Sequence, residues 1–231
     1  MIDTSRFCVL AKEMFGLSVS PSQAELLDKF AEEVVETNKK FNLTSITDSE
    51  AFLEKHLLDS VAAAPLIPEG AKCCDVGAGA GFPSVPLAVV REDISVTALD
   101  STSKKTAFVA GVAKKLGIEN LFTLTKRAEE CVHERESFDV VFARAVAPLP
   151  VLLELSLHLV KKGGVFVAYK TDDSELSSSL RAAGKNGGKF REKHGFSLPD
   201  GSRRCLLVFD KVSPCPADYP RKYSLIKSSP L

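Results

Sequence analysis

Between residues 71 and 83 the chain reads Ala-Lys-Cys-Cys-Asp-Val-Gly-Ala-Gly-Ala-Gly-Phe-Pro, and this run narrows the choice of folds more than any other. The apolar stretch with Cys73, Cys74 and Val76 predicts a buried strand ending at Asp75. Glycines at 77, 79 and 81 let the backbone take positive φ and approach a ligand closely. Pro83 fits the first turn of a helix running to about Val90, because its missing N–H would have no partner there. In an open parallel sheet, such a strand–turn–helix unit puts the ligand in the crevice at the strand's carboxyl end.

The glycine spacing is G-x-G-x-G, whereas a dinucleotide fold wants G-x-G-x-x-G with an open helix terminus for the pyrophosphate. Asp75 beside the loop repels a pyrophosphate and suits a ligand carrying an ammonium or sulfonium cation. Asp100 closes the next apolar run, Ile94 to Leu99, about 20 residues past the last glycine, where a carboxylate binds ribose hydroxyls. An adenosine that lacks phosphates and carries a cationic amino acid is S-adenosylmethionine, the expected cofactor.

Downstream of this unit, apolar strands and helical stretches alternate, which predicts a doubly wound, mostly parallel sheet. The expected strands are 94–99, 121–124, 138–142 and 165–169, with helices over 103–116 and 148–160. Gly163-Gly164 is expected to turn the second of these helices into the last of these strands. A helix over 172–183 and a closing hairpin of 189–198 and 204–212, turned by Pro199-Asp200-Gly201, complete the pattern. Residues 4–40 read as helical, with Ser20-Pro21 as N-cap and N1, and Asp48 caps a further helix. The expected division is a helical N-terminal extension (1–64), a Rossmann-like core (65–212) and a basic, Pro-containing tail (213–231).

Composition excludes several classes. No apolar run approaches the length of a membrane span, and the first residues lack the n- and h-regions of a signal peptide. Six cysteines without C-x-x-C spacing predict neither a zinc site nor a disulfide framework, and fit reduced thiols in the cytoplasm. No metal is expected. There is no G-x-S-x-G, H-E-x-x-H or P-loop. A formal net charge of zero counts against a general nucleic-acid binder, so the distribution of charge matters more than its sum. Residues 181–194 hold five basic side chains against Glu192 alone, and Arg203, Arg204, Arg221 and Lys222 follow. The segment around Glu25, Asp28, Glu32, Glu33 and Glu36 is acidic. This asymmetry fits a polyanion-binding face, and equally a pair of solvated surfaces.

Several single residues stand where chemistry would occur. His56 and Asp59 share a helix face, as a capping or ion-pairing couple would. Ala128-Glu129 follow the third expected strand of the core and reach the same crevice; they offer a backbone amide to an adenine edge, or simply start a helix. Arg144 ends a hydrophobic strand and, arginine being seldom buried unpaired, is expected to meet an anion: a cofactor carboxylate, a phosphate or Asp75; a purely structural ion pair is the alternative. Lys170 holds the equivalent place one strand on, either solvated or facing a polyanion.

The stretches Asn42-Leu43-Thr44, His56 to Ser60, Asp75 to Pro83, Pro86-Leu87-Ala88, Asp100-Ser101, Arg127-Ala128-Glu129, Arg144-Ala145-Val146, Tyr219-Pro220-Arg221 and Pro230-Leu231 together resemble the bacterial 16S rRNA guanine-N7 methyltransferases, the RsmG or GidB family. The resemblance spans nearly the whole chain. It implies a class I methyltransferase fold, S-adenosylmethionine as donor, and a guanine of 16S rRNA in the small ribosomal subunit or its precursor as acceptor. A monomer is expected. Carried over by motif, cofactor contacts fall at Gly77, Phe82, Ala128, Glu129 and Arg144, with Asp75 and Gly79 in the loop and Asp100 at the ribose. RNA contacts are expected at Lys170, Arg203, Arg204, Arg221 and Lys222. Ser84 and Thr171 depart from the family pattern, which has glycine at both places. Two other readings remain open: a methyltransferase of the same fold with a small-molecule acceptor, and a dinucleotide-binding module.

Overall fold

The structure, a computed structural model, describes residues 1–231. Its centre is a seven-stranded sheet in the order β3-β2-β1-β4-β5-β7-β6. The strands are β1 (Lys72–Val76), β2 (Ser95–Asp100), β3 (Leu121–Thr125), β4 (Phe138–Arg144), β5 (Val160–Lys170), β6 (Gly188–Ser197) and β7 (Arg203–Lys211). The first five are parallel, and β7 runs antiparallel to both β5 and β6. Strand order reverses between β1 and β4, so the crevice of such a sheet opens above the carboxyl ends of these two strands.

The faces of the sheet follow the period-two alternation of the strands. Cys73, Val96, Ala98, Val140, Phe142 and Val167 point to one side, while Cys74, Leu99, Val141, Ala143, Phe166 and Ala168 point to the other. The first side is covered by α1 (Thr4–Phe15), α2 (Pro21–Asn38), α5 (Ser84–Val90) and α6 (Ser103–Leu116). It is also covered by a helical stretch made of α3 (Ser49–Phe52), a π-helical turn (Leu53–Leu58) and α4 (Asp59–Val61). Phe7, Leu27, Phe30, Phe52 and Leu57 are fully buried in that layer. The N-terminal helices therefore share one core with β1 and α5. The other side carries α7 (Leu149–Leu157), α8 (Leu176–Lys185) and α9 (Tyr223–Ser228). No helix is long and apolar enough to cross a membrane.

Several boundaries differ from the sequence reading. The segment 4–40 is two helices, because Gly16 takes φ +67° as a left-handed cap before Ser20 starts α2 with a capping box. Helix α5 begins at Ser84, and Pro83 is its N-cap. Gly163-Gly164 do not turn a helix into a strand; β5 extends back to Val160 through a shift of register against β4. A Cβ on Gly164 would stand 2.5 Å from the Asp139 carbonyl oxygen, so glycine is what permits that close approach.

The segment after β7 folds back over α7. The carboxylate of Glu154, fully buried on α7, accepts from Arg221 N, Nε and Nη2 at 2.9, 2.8 and 2.7 Å. Arg135 donates to the carbonyls of Tyr219 at 2.7 Å and Pro216 at 2.8 Å. Arg221, 18% exposed, is thus paired with a buried carboxylate, and an arginine so engaged is less free to meet a phosphate than an unpaired one. Glu154→Ala should cost about 3 kcal/mol in urea-denaturation stability, since it strands the guanidinium and releases this segment.

Candidate active site

The geometry of the crevice begins at the glycine turn. Gly77 N and Ala78 N donate to the Leu99 carbonyl at 2.8 and 3.0 Å, and Gly79 N donates to Asp100 Oδ2 at 3.0 Å. Gly77 has φ +75°, and a Cβ there would lie 2.5 Å from Val146 Cγ2. Gly81 has φ +95°, with Val85 Cγ2 at 2.6 Å from the corresponding position. Both positions require glycine, for backbone conformation and for close packing.

Two cavities flank the end of β4. One, about 320 Å3, is lined by Gly77, Asp100, Thr102, Ala128, Glu129 and Val146, among others. The second, about 400 Å3, is lined by His56, Asp59, Arg144, Tyr169, Lys170 and Arg204, among others. Ala145 belongs to both walls. It holds φ +55° without being glycine, the kind of local strain that clusters at binding sites.

In the first cavity Asp100 is set by Gly79 N and by Thr102 N, which donates to Oδ1 at 2.8 Å. Ala128 and Glu129 lie in a single 3-10 turn after β3, with the Ala128 carbonyl beside His158 Nε2 at 3.0 Å. Asp75 is placed differently from its sequence reading. It is fully buried, and its Oδ2 accepts from Ser84 N at 3.1 Å and Ser84 Oγ at 2.7 Å. It thereby serves an orphan donor at the start of α5. Its Oδ1 is buried without a hydrogen-bond partner. Burial pushes the carboxyl up to about 6, against the lowering effect of the two Ser84 donors and of Arg144. The Ser84 hydroxyl is the one of those two donors that the glycine of the family pattern would lack.

The second cavity is built by residues far apart in sequence. Arg144 Nη1 donates to Asp59 Oδ2 at 2.8 Å and to the Lys55 carbonyl at 3.0 Å, and Nη2 approaches His56 Nδ1 at 3.3 Å. The anion that meets Arg144 within the chain is therefore Asp59 and not Asp75. Arg204 Nε stands 3.5 Å from Asp59 Oδ1, so the carboxylate lies between two guanidinium groups. Phe82 is central: His56 stacks on it at 4.4 Å between ring centroids, the Arg144 guanidinium lies 5.4 Å from its centroid, and Phe30 and Phe52 pack around it. The Lys170 side chain reaches Glu175 at 2.6 Å and the Ala147 carbonyl at 3.3 Å, which ends the solvated reading. Thr171, beside it, also lines the cavity.

Arginine can only donate, so His56 Nδ1 accepts and its Nε2–H donates to Thr44 Oγ1 at 2.7 Å. Thr44 is itself held: Asn38 Oδ1 accepts from Leu43 N and Thr44 N. The triplet 42–44 is thus a loop that fixes the imidazole. Sequence reasoning left His56 and Asp59 as a local couple; their shared helix face was the available signal, but their partner lies more than 80 residues away. Arg203 and Lys222 are exposed, while Arg191 and Lys193 from the late basic run pair with Asp210 and Asp173. No group of His, Cys, Asp and Glu side chains is arranged to hold a metal ion.

Burial, followed by the charge of Arg144, pushes the His56 imidazole down to about 3 from its ordinary 6.5. The folded chain holds it neutral, whereas the unfolded chain binds a proton below pH 6.5, so this residue makes stability fall with falling pH in that range. His56→Gln removes that proton uptake. The variant should be less stable than wild type at pH 7, and the gap should close by about 1.4 kcal/mol per pH unit from pH 6.5 towards 4, measured by urea titration at each pH.

Comparison with known proteins places this geometry. The family model described as GidB, rRNA small subunit methyltransferase G, matches residues 23–192. The Ribosomal RNA small subunit methyltransferase G of Bacillus pumilus is 42% identical over 229 residues, 96% of each chain. The protein of the same name from Bacillus subtilis is 41% identical over 224 residues, 94% of each chain. Among solved structures, M. jannaschii TYW2 in complex with AdoMet aligns with a TM-score of 0.56 at 17% identity, covering 71% of this chain and 77% of its own. The [4+2]-cyclase SpnF aligns at 0.59 and 16%, covering 87% and 100%. These two structures share the class I methyltransferase fold with this chain and, at such identities, nothing more. By the family match and by relatives of this identity over nearly its full length, the chain belongs to the rRNA small subunit methyltransferase G family.

Proposed function

We propose that the chain methylates N7 of a guanine in 16S rRNA, with S-adenosylmethionine as donor. The observation that carries the reading is the pair of cavities meeting at Ala145, where the sheet reverses its strand order. The first fits an adenosine: it offers the Asp100 carboxylate, the 3-10 turn at Ala128-Glu129 and a glycine wall at Gly77. The buried Oδ1 of Asp75 is an acceptor that lacks a donor, as a site for a ligand with an ammonium group requires. Gly77, Gly79, Phe82, Asp100, Ala128, Glu129 and Arg144 would hold the cofactor. When bound, it supplies an electrophilic methyl group on a sulfonium centre.

The second cavity suits an acceptor that has no proton to lose. Guanine N7 carries a lone pair in the ring plane, so the protein must position that atom rather than deprotonate it. The groups present agree: His56 has both nitrogens engaged, and Asp59 is flanked by Arg144 and Arg204. Arg144 acts by holding the cofactor carboxylate, a phosphate or guanine O6. Lys55, Lys170 and Arg204 form the cationic side of this cavity, Arg203 is exposed next to Arg204 on β7, and Lys222 stands beyond the first cavity; we assign RNA contact to these and not to Arg221. In this reading residues 1–64 complete the acceptor cavity, 65–212 hold the donor, and 213–231 flank the donor. The enzyme would be a cytoplasmic monomer acting on the small ribosomal subunit or its assembly precursor.

Methyl transfer from labelled S-adenosylmethionine should label small subunits from a strain lacking this protein and not those from the parent strain. The labelled base should be cleaved by borohydride and aniline. Cofactor binding without such incorporation would move the acceptor to another RNA or to a small molecule. Arg144→Lys keeps the charge but loses the fork that spans Asp59 and Lys55; turnover should fall about 100-fold, the scale of a small misplacement of reacting groups. Gly77→Ala should weaken cofactor binding at least tenfold by calorimetry, because its Cβ meets Val146 in a left-handed backbone.

A further inference from the structure

The C-terminal segment contributes an aromatic wall to the first cavity. Tyr223 lines it, and lines as well the neighbouring cavity formed with Arg127, Glu130 and Lys222. The Arg127 guanidinium lies over its ring, 5.8 Å from the centroid. Tyr223 is nevertheless 38% exposed, so a large aromatic surface is left uncovered beside the crevice. It is also firmly placed. Two residues before it, Arg221 is locked to buried Glu154, and three residues after it, Ile226 is fully buried. The tail before it is clamped by Arg135 to Tyr219 and Pro216, and by Cys215 N donating to Glu136 at 2.7 Å. A rigid aromatic ring at the rim of a nucleoside-sized cavity loses little conformational freedom when a base stacks on it.

We infer that Tyr223 is a cofactor-binding residue, its ring packing against the adenine in the first cavity, so that the segment after β7 is part of the donor site. This rests on the reading of that cavity as the S-adenosylmethionine site. Arg127 takes one face of the ring and orients it; the adenine takes the remaining surface. Base–aromatic stacking of this kind is sequence-tolerant and independent of hydrogen-bond readout, which fits a position two residues beyond a structural ion pair.

The chain has no tryptophan and three tyrosines, so tyrosine emission reports the contact directly. The full chain and its Tyr223→Ala and Tyr223→Phe variants would be titrated with S-adenosylhomocysteine by calorimetry and by tyrosine fluorescence, with melting of the ligand-free proteins recorded alongside. Affinity should fall about 10-fold in Tyr223→Ala, the scale of one stacked base, and stay within twofold in Tyr223→Phe. The ligand should quench emission in wild type more than in Tyr223→Phe, and the three ligand-free proteins should melt alike. Unchanged affinity in Tyr223→Ala overturns the inference, as does quenching that persists in full in Tyr223→Phe. Weakened binding to small ribosomal subunits with intact S-adenosylhomocysteine affinity would also overturn it, by reassigning the ring to RNA. If wild type binds no S-adenosylhomocysteine, the reading of the cavity itself fails, and the inference falls with it.

Discussion

The ion pair between Arg144 and Asp59 joins two parts of the chain that sequence keeps 85 residues apart. On one side is the end of β4, where the sheet reverses direction. On the other is the helical stretch that covers β1 and α5. Both partners are largely withdrawn from water, so each is expensive to bury alone and the pair persists only because its geometry is satisfied. Arg144 meets this condition by donating also to the Lys55 carbonyl and His56, while its face rests on Phe82. Asp59 meets it on Oδ2 alone: its Oδ1 has the Arg204 guanidinium at 3.5 Å but no hydrogen bond. The N-terminal helices thus reach the crevice at fixed points, and the second cavity exists because they do.

The legibility of this arrangement divides by distance along the chain. The strand–glycine–helix unit, the alternation of strands and helices and the placing of Asp100 all depend on neighbours a few residues apart, and local spacing carries them. The start of α5 depends instead on Asp75 reaching across the turn to Ser84. Local spacing does not announce that contact to Ser84 through Oδ2, while the free Oδ1 keeps the ligand carboxylate within the proposal. Arg221 shows the same limit. A basic tail reads as surface from sequence, because nothing in the residues around 221 announces Glu154 in the middle of an apolar helix.

The pairing of charges also changes what net neutrality means. Arg221, Arg191 and Lys193 are consumed by Glu154, Asp210 and Asp173, and the acidic α2 is answered by Lys29, Lys39 and Lys115. Apart from Arg221 on buried Glu154, these exposed pairs contribute little stability, but all of them remove charge from the field that an RNA would sense. The cations of the second cavity are paired too, Lys55 with Asp200 and Lys170 with Glu175, but they line the cavity itself, and Arg203 is exposed beside them on β7. Phosphate contacts position a nucleic acid without reading its sequence, so a few such groups near the mouth would orient an acceptor, and under the proposed function Arg144 would act deeper.

Electrostatics and chemistry meet at the boundary between the cavities. A sulfonium donor brings a positive charge, and a methyl group leaves that charge behind on the accepting ring. An acceptor site made of Arg144 and Arg204 alone would oppose the change. Asp59 between them offsets the repulsion, and the imidazole of His56, stacked on Phe82, adds none because burial holds it neutral. Asp75, with its carboxyl near 6, sits beneath the glycine turn, and a cationic amino group beside its free oxygen would draw it back towards the ionised form. Ser84 works in the same direction, since its hydroxyl donates to the ionised carboxylate more strongly than to the neutral acid. The serine that breaks the family pattern therefore supports the charge state on which a cationic donor would depend.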